Sequence, residues 1–267
     1  MIFLHNIAMK IMYDGTNFHG WQIQPNGITV QEVAEKTLER LLGNKVSVTG
    51  CSRTDAGVHA REYVFNFFSD TKIPPEKLPF AFNNNIYTSD GKHGKFGDIS
   101  AFDAFYVKDD FNARFSSLGK RYVYKIHNSK TINPFTGRYS WFFPYELDIS
   151  LMQKAAVYLE GIHDFSSFMA AGGSQKTTVR NVSKLTVEKS AEWEDEIVIT
   201  IEANAYLYNM VRIITGTLCD VGCKRILPED IPYIIKSCNR KNSGMTAPPE
   251  GLFLDRVFYP ENIYLSE

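Results

Sequence analysis

Three residues capable of chemistry fall close together in the stretch Ser52-Arg53-Thr54-Asp55-Ala56-Gly57-Val58-His59-Ala60. A carboxylate beside a guanidinium stays ionised, because the positive neighbour lowers its pKa, so Asp55 suits a nucleophile or a base rather than an acid. Ala56 and Gly57 are small enough to let another backbone or a ligand approach closely. A second guanidinium, Arg212, lies in the segment Tyr206 to Val221, where Leu207, Met210, Val211, Ile213, Ile214 and Leu218 wrap most of a helix circumference. A guanidinium buried there needs a carboxylate or a bound anion. Asp55 is the natural partner, and two readings stay open: a reactive carboxylate held by arginines, or half of a structural Arg-Asp pair that locks a loop. Gly57 argues against the helix that would set Asp55 and His59 on one face. No serine or cysteine nucleophile accompanies them, so His59 reads as a packed loop histidine.

The rest of the chain narrows the chemistry. No P-loop, dinucleotide fingerprint or H-E-x-x-H is present, which leaves a cofactor-free reaction or none. Cys51, Cys219, Cys223 and Cys238 form no C-x-x-C pair, and buried free thiols are expected. With 44% hydrophobic and 22% charged residues the 267-residue chain is globular in composition. It has no run of eighteen apolar residues, and His5, Asn6 and Lys10 interrupt the N-terminal segment, so a cytoplasmic location with no membrane contact is the expectation. Net charge is −1, yet the cations are clustered. From Phe111 to Tyr145 there is no Asp or Glu, while Arg114, Lys120, Arg121, Lys125, Lys130 and Arg138 alternate with Phe115, Tyr122, Tyr124 and Tyr139. A second acid-free stretch, Phe165 to Val187, carries Lys176, Arg180 and Lys184. Unbalanced cations among aromatics make a local footprint for a nucleic acid, although solvated edge strands would read the same way.

Elements that position these residues follow from periodicity and punctuation. Ile7 to Tyr13 reads as a strand ending at Asp14-Gly15. Thr29 to Glu32 matches a capping box ahead of a helix through Leu42, closed by Gly43. Lys45 to Thr49 and Glu62 to Phe68 read as strands, so the Arg53 to Ala60 stretch connects two of them. A short helix over Pro74 to Asn83, a polar loop from Asn83 to Asp98 and a strand over Ile99 to Val107 complete the first half. The second half reads as a strand (Arg121 to His127), a helix (Ile149 to Glu160, ending at Gly161) and a hairpin (Val182 to Lys189 with Glu196 to Ala203). The Tyr206 to Val221 helix, another over Pro228 to Ser237 and a strand over Gly251 to Tyr259 follow. Repetition of this order predicts an α+β fold of two halves, 1–110 and 111–267, whose antiparallel sheets join across a pseudo-twofold.

Several blocks resemble the TruA family of tRNA pseudouridine synthases: Met12-Tyr13-Asp14-Gly15-Thr16-Asn17-Phe18-His19-Gly20-Trp21-Gln22, Arg53-Thr54-Asp55-Ala56-Gly57-Val58-His59-Ala60, and Phe111-Asn112-Ala113-Arg114-Phe115-Ser116 with Lys120-Arg121-Tyr122-Val123-Tyr124. Asp164 to Phe168, Asn209 to Gly216 and Ala247 to Leu254 extend the resemblance, in the family's order, over nearly the whole chain. Ser52 and Asn112 depart from the glycine and histidine the family usually has there.

The resemblance implies a pseudouridine synthase fold: two ferredoxin-like halves sharing a central antiparallel sheet with helices packed on it, and an RNA-binding cleft between the halves. It implies a homodimer acting on tRNA without a cofactor or metal. Asp55 matches the essential aspartate, Arg53 and Arg212 the arginines beside it, and Tyr122 the tyrosine that packs on the target base. Leu252 matches an apolar residue lining the pocket, while Lys120, Arg121 and Arg114 are expected to bind the RNA. Competing expectations are a divergent paralogue acting on another RNA site, a silent RNA-binding protein on the same fold, and a hydrolase using Asp55 and His59.

Overall fold

The computed structural model describes residues 4–86, 97–173 and 175–263. The chain forms two compact units, Met1–Leu118 with Leu254–Glu267, and Gly119–Phe253. In the first unit follow β1 (His5–Tyr13), α1 (Val30–Leu42), β2 (Thr49–Gly50), β3 (His59–Ser69), α2 (Leu78–Asn84) and β4 (Ile99–Tyr106). The second holds β5 (Gly119–His127), β6 (Trp141–Phe142), α3 (Ile149–Val157), β7 (Gly161–Asp164), β8 (Val179–Lys189), β9 (Glu196–Ala203), α4 (Met210–Gly222) and α5 (Ile231–Ser237). The last strand, β10 (Leu252–Phe258), lies next to β3 in the first unit. Mixed helices and antiparallel sheet in both units give the expected α+β class. Among the described residues no helix is long and apolar enough to cross a membrane.

In the first unit β1 is the central strand, antiparallel to β3 and β4. Ile7 faces Phe67, Met9 faces Phe65 and Ile11 faces Tyr63, all fully buried, which is why β1 reads as an apolar run. Helix α1 is bounded as its sequence dictates. Thr29 accepts a hydrogen bond from the Glu32 amide at 3.3 Å, and Gly43 closes the last turn in the left-handed region with φ 76°. The Glu32 carboxylate, expected to reach back to the cap, instead pairs with Lys36 one turn on, at 2.6 Å. The strand expected over Lys45 to Thr49 shrinks to Thr49–Gly50. Val46 and Val48 are buried as the alternation implied, but the Val48 amide donates to the Glu35 carboxylate at 3.1 Å rather than to a ladder. Of the loop expected from Asn83 to Asp98, residues 87–96 lie outside the described residues; Asn83 and Asn84 close α2.

In the second unit β5, β9, β8 and β7 form an antiparallel sheet in that order, with β6 added in parallel on β5. Tyr122, Tyr124 and Ile126 lie opposite Ile201, Ile199 and Ile197 on one buried face. Helix α3 starts at Ile149 as expected, after Asp148, whose carboxylate accepts from the Leu151 amide at 3.1 Å. Its last turn tightens to i→i+3 bonding through Glu160 before Gly161, shortening the regular helix by three residues against the expected end. Helix α4 begins at Met210 rather than Tyr206, because Asn209 takes a left-handed conformation with φ 59°. The expected burial of all four thiols holds only for Cys51 and Cys219; Cys223 is half-buried and Cys238 exposed.

The connection that carries Asp55 is held by the segment after β1. The Trp21 amide donates to the Thr54 carbonyl at 3.1 Å, and the Gly57 amide to the Phe18 carbonyl at 3.2 Å. Two glycines make this backbone-on-backbone contact possible. A Cβ at Gly15 would stand 2.0 Å from the Val58 carbonyl oxygen, and one at Gly20, where φ is +82°, would stand 2.4 Å from that of Thr54. Since the obstacle is backbone, neither contact can be relieved by a rotamer change. Gly15→Ala is expected to lose about 1–3 kcal/mol of unfolding free energy in urea titration, against ~1 kcal/mol for removing the helix cap with Thr29→Ala. A Gly15→Ala protein as stable as wild type would mean that the 54–58 backbone yields freely.

Candidate active site

Residues 52–58 form a short connection tied to its surroundings by several backbone hydrogen bonds. The Cys51 amide donates to the Val64 carbonyl at 2.9 Å, and the Tyr63 hydroxyl donates to the Ser52 carbonyl. Tyr63 is itself fixed by stacking on Trp21, with ring centroids 4.1 Å apart. The hydroxyls of Tyr13 and Thr54 lie 2.8 Å apart in the buried interior. Beyond Thr54 the chain turns, with the Val58 amide donating to the Asp55 carbonyl at 3.2 Å and Gly57 at φ 79°. Thr54 and Val58 therefore point inward, while Arg53 is exposed and Asp55 half-buried. A carboxylate so placed is fixed by its backbone and reachable by a ligand.

His59 is 1% exposed, and its Nδ1 accepts from the Gly15 amide at 3.0 Å, with the Asp14 carboxylate 3.1 Å away. The ring thus ties β3 to the turn after β1. Asp14 also accepts from the Thr16 amide and hydroxyl, at 2.9 and 2.6 Å. The most conspicuous titratable side chain of the stretch is a structural post for the loop that carries Asp55.

Tyr122 is buried on β5, where Tyr206 meets it edge-on at 4.8 Å. The Tyr206 hydroxyl lies 2.9 Å from the Lys120 carbonyl and 3.0 Å from that of Ile201, sharing its proton between them. Burial pushes this hydroxyl well above its ordinary pKa, so it serves as a fixed donor. Arg212 is half-buried on α4. Its Nε donates to the Ala247 carbonyl at 2.7 Å, and one terminal nitrogen donates to Asn209 Oδ1 at 3.0 Å. The Ala247 amide returns a bond to the Arg212 carbonyl at 3.0 Å. The 247–251 segment is held again where the Tyr124 hydroxyl donates to the Pro248 carbonyl at 2.7 Å, and it delivers Leu252, buried, at the start of β10. Burial raises the Tyr124 pKa far above its usual range, with nearby Glu250 adding to the rise and Arg212 opposing it.

The three expected RNA contacts differ in kind. Arg114 is exposed, stacked 5.3 Å from the ring of Phe115, which is itself 79% exposed. Asn112 shapes that turn by accepting from the Arg114 and Phe115 amides at 3.0 and 3.1 Å. Arg121, in contrast, is paired with Glu202 across the β5–β9 ladder at 2.7 Å, and Lys120 is only 7% exposed. Sequence reasoning missed Tyr206 and Asn209, which hold Tyr122 and Arg212. Asn209 opens one of the blocks that resemble the family, but nothing in the run Asn204-Ala205-Tyr206-Leu207-Tyr208-Asn209 assigns either residue this bracing role.

A family model described as tRNA pseudouridine synthase matches residues 9–96 and 155–260. A protein of Thermoanaerobacter sp. (strain X514) named tRNA pseudouridine synthase A is 47% identical over 256 residues, which are 96% of this chain and 100% of that one. One of the same name from Ruminiclostridium cellulolyticum is 43% identical over 256 residues, with the same coverage. Among solved structures a Cbf5-Nop10-Gar1 complex matches 92% of this chain and 57% of its own at 10% identity and a TM-score of 0.36, too distant to inform the site. Matched by the family model over most of its length and by curated relatives from end to end, this chain belongs to the tRNA pseudouridine synthase family.

Proposed function

We propose that this protein isomerises uridine to pseudouridine in the anticodon stem-loop of tRNA, at positions 38 to 40, with Asp55 acting on the target nucleotide. The observation that carries the reading is the fixed presentation of Asp55: a half-buried carboxylate on a loop clamped by backbone contacts, in a chain of this family. The reaction breaks the bond from C1′ to N1 and makes one from C1′ to C5. N1 gains a proton and C5 loses one, so nothing is oxidised and no cofactor is needed. Asp55 begins it either by attacking C1′, which releases uracil as an anion, or by taking a proton from C2′ to give a glycal. Tyr122 packs on the detached base and retains it while it turns. The edge-on contact and hydrogen bonds of Tyr206 support that role by fixing the Tyr122 ring.

Arg53 and Arg212 keep Asp55 ionised, and Leu252 lines the pocket. Residues 1–110 supply the carboxylate, and residues 111–267 supply Tyr122, Arg212 and the basic stretch. The target nucleotide leaves its stack at a cost of a few kcal/mol, least in or beside a loop. We assign the protein to the cytoplasm as a homodimer, as the family resemblance implies.

Release of tritium from C5-labelled uridine in tRNA is expected from the wild-type protein and not from Asp55→Ala. Release by the variant at the wild-type rate would remove Asp55 from the chemistry, and no release by wild type on any tRNA would leave an RNA-binding protein. Arg212→Met is expected to abolish release while circular dichroism shows an intact fold; an unchanged rate would refute its role. For RNA affinity, Arg114→Ala is expected to flatten the salt dependence by about one unit of slope. Arg121→Ala should change it less, since Glu202 already neutralises that charge; equal effects would contradict the distinction.

A further inference from the structure

Arg180 lies on β8, in the acid-free stretch Phe165 to Val187, and is 8% exposed. A buried guanidinium ordinarily faces a carboxylate. Among the described residues this one donates only to the Val179 carbonyl, at 2.6 Å, and to the Thr177 hydroxyl, at 3.3 Å, and its buried Nε has no acceptor. Burial lowers its pKa from the ordinary value without a compensating anion. Asp164, at the neighbouring register position on β7, is already engaged: the Ser166 amide donates to it at 2.9 Å, and the Ser166 and Thr178 hydroxyls also bond it. Buried polar groups left unsatisfied are rare enough to require an explanation.

Register supplies one. Ala203 of β9 pairs with both Lys120 of β5 and Val182 of β8, so Lys120, Ala203 and Val182 share one face at one end of the sheet. Tyr122 lies one row inward on that same face, opposite Ile201, and Arg180 lies on it two residues from Val182 in the other direction, toward the sheet end. The Arg180 neighbourhood is locked to the segment preceding α4, since the Asn204 amide donates to the Asn181 carbonyl at 3.1 Å and the Ala170 amide to the Tyr208 carbonyl at 3.1 Å. The same segment ends in Asn209, which holds Arg212.

We infer that Arg180 binds a backbone phosphate of the substrate RNA close to the target uridine, at the sheet end that carries Tyr122 and Lys120. A phosphodiester supplies the anionic acceptor that the protein withholds, and its two free oxygens suit the guanidinium fork. The inference rests on the proposed RNA-modifying function and adds to it a specific anchoring residue.

The test compares wild type, Arg180→Lys and Arg180→Met in steady-state pseudouridine formation, in tRNA binding over a range of salt, and in phosphate-ethylation interference on the tRNA. Arg180→Met is expected to raise KM about tenfold, with kcat changed far less, and to flatten the salt slope by about one unit. Interference at one phosphate near the target uridine should disappear. Arg180→Lys, which keeps the charge without the fork, should retain the slope and weaken interference at that phosphate alone. If Arg180→Met fails to fold, the lysine variant decides. Interference and salt slope identical to wild type in the folded variants would overturn the inference, even if stability fell. A wild-type protein that forms no pseudouridine yet shows the Arg180-dependent interference would support the phosphate site while refuting the activity.

Discussion

Everything proposed for Asp55 depends on one close contact, the backbone after β1 lying directly on the backbone of residues 54–58. The contact is short because Gly15 and Gly20 have no side chains, and it is held by amide-to-carbonyl bonds from Trp21 to Thr54 and from Gly57 to Phe18. Buried side chains close it from below: Thr54 against Tyr13, Tyr63 against Trp21, and His59 against the turn at Gly15. Each bond is individually modest, about 1 kcal/mol net. Together they remove the freedom a surface loop would otherwise keep, and so set where the carboxylate stands before any substrate arrives. Preorganisation of this kind would serve the proposed reaction, in which a single carboxylate begins the chemistry.

Arginines in this chain divide by what holds them. Arg121 is neutralised by Glu202 within the sheet and so contributes mainly to the ladder. Arg114 stands exposed over an aromatic ring on a turn shaped by Asn112, free to meet a phosphate at the surface. Arg212 is oriented in part by two neutral oxygens, from Ala247 and Asn209. Arg180 is buried, and among the described residues its Nε has no acceptor. Formal charge counts all four alike, while their surroundings differ.

Elements governed by local chemistry were legible in the sequence. Helix α1 was readable to the residue because Thr29 and Gly43 are local cap signals, and β1, β3, β5 and β9 because their apolar runs lie between turn residues. Misreadings came where a neighbour decides. Val46 and Val48 alternate like a strand, but a carboxylate on α1 takes the Val48 amide. Asn209 delays α4 by adopting a left-handed conformation, in which its side chain accepts a hydrogen bond from Arg212 three residues on. β7, only four residues long, carries no periodicity of its own, and the return of the last strand to β3 is a non-local pairing without any local mark. At the site, residue types singled out Asp55 and Arg212, and the family resemblance added Arg53 and Tyr122. Nothing in the sequence told that Lys120 would be buried or that Tyr206 would brace Tyr122.

Amide hydrogen exchange at Trp21, Gly57 and Val58 tests most directly whether the Asp55 loop is held as described. If the clamp fixes the carboxylate, these three amides exchange as slowly as those of β3, through global unfolding. Exchange at the rate of exposed loop amides, while β3 stays protected, would show a loop that opens independently and would contradict the account.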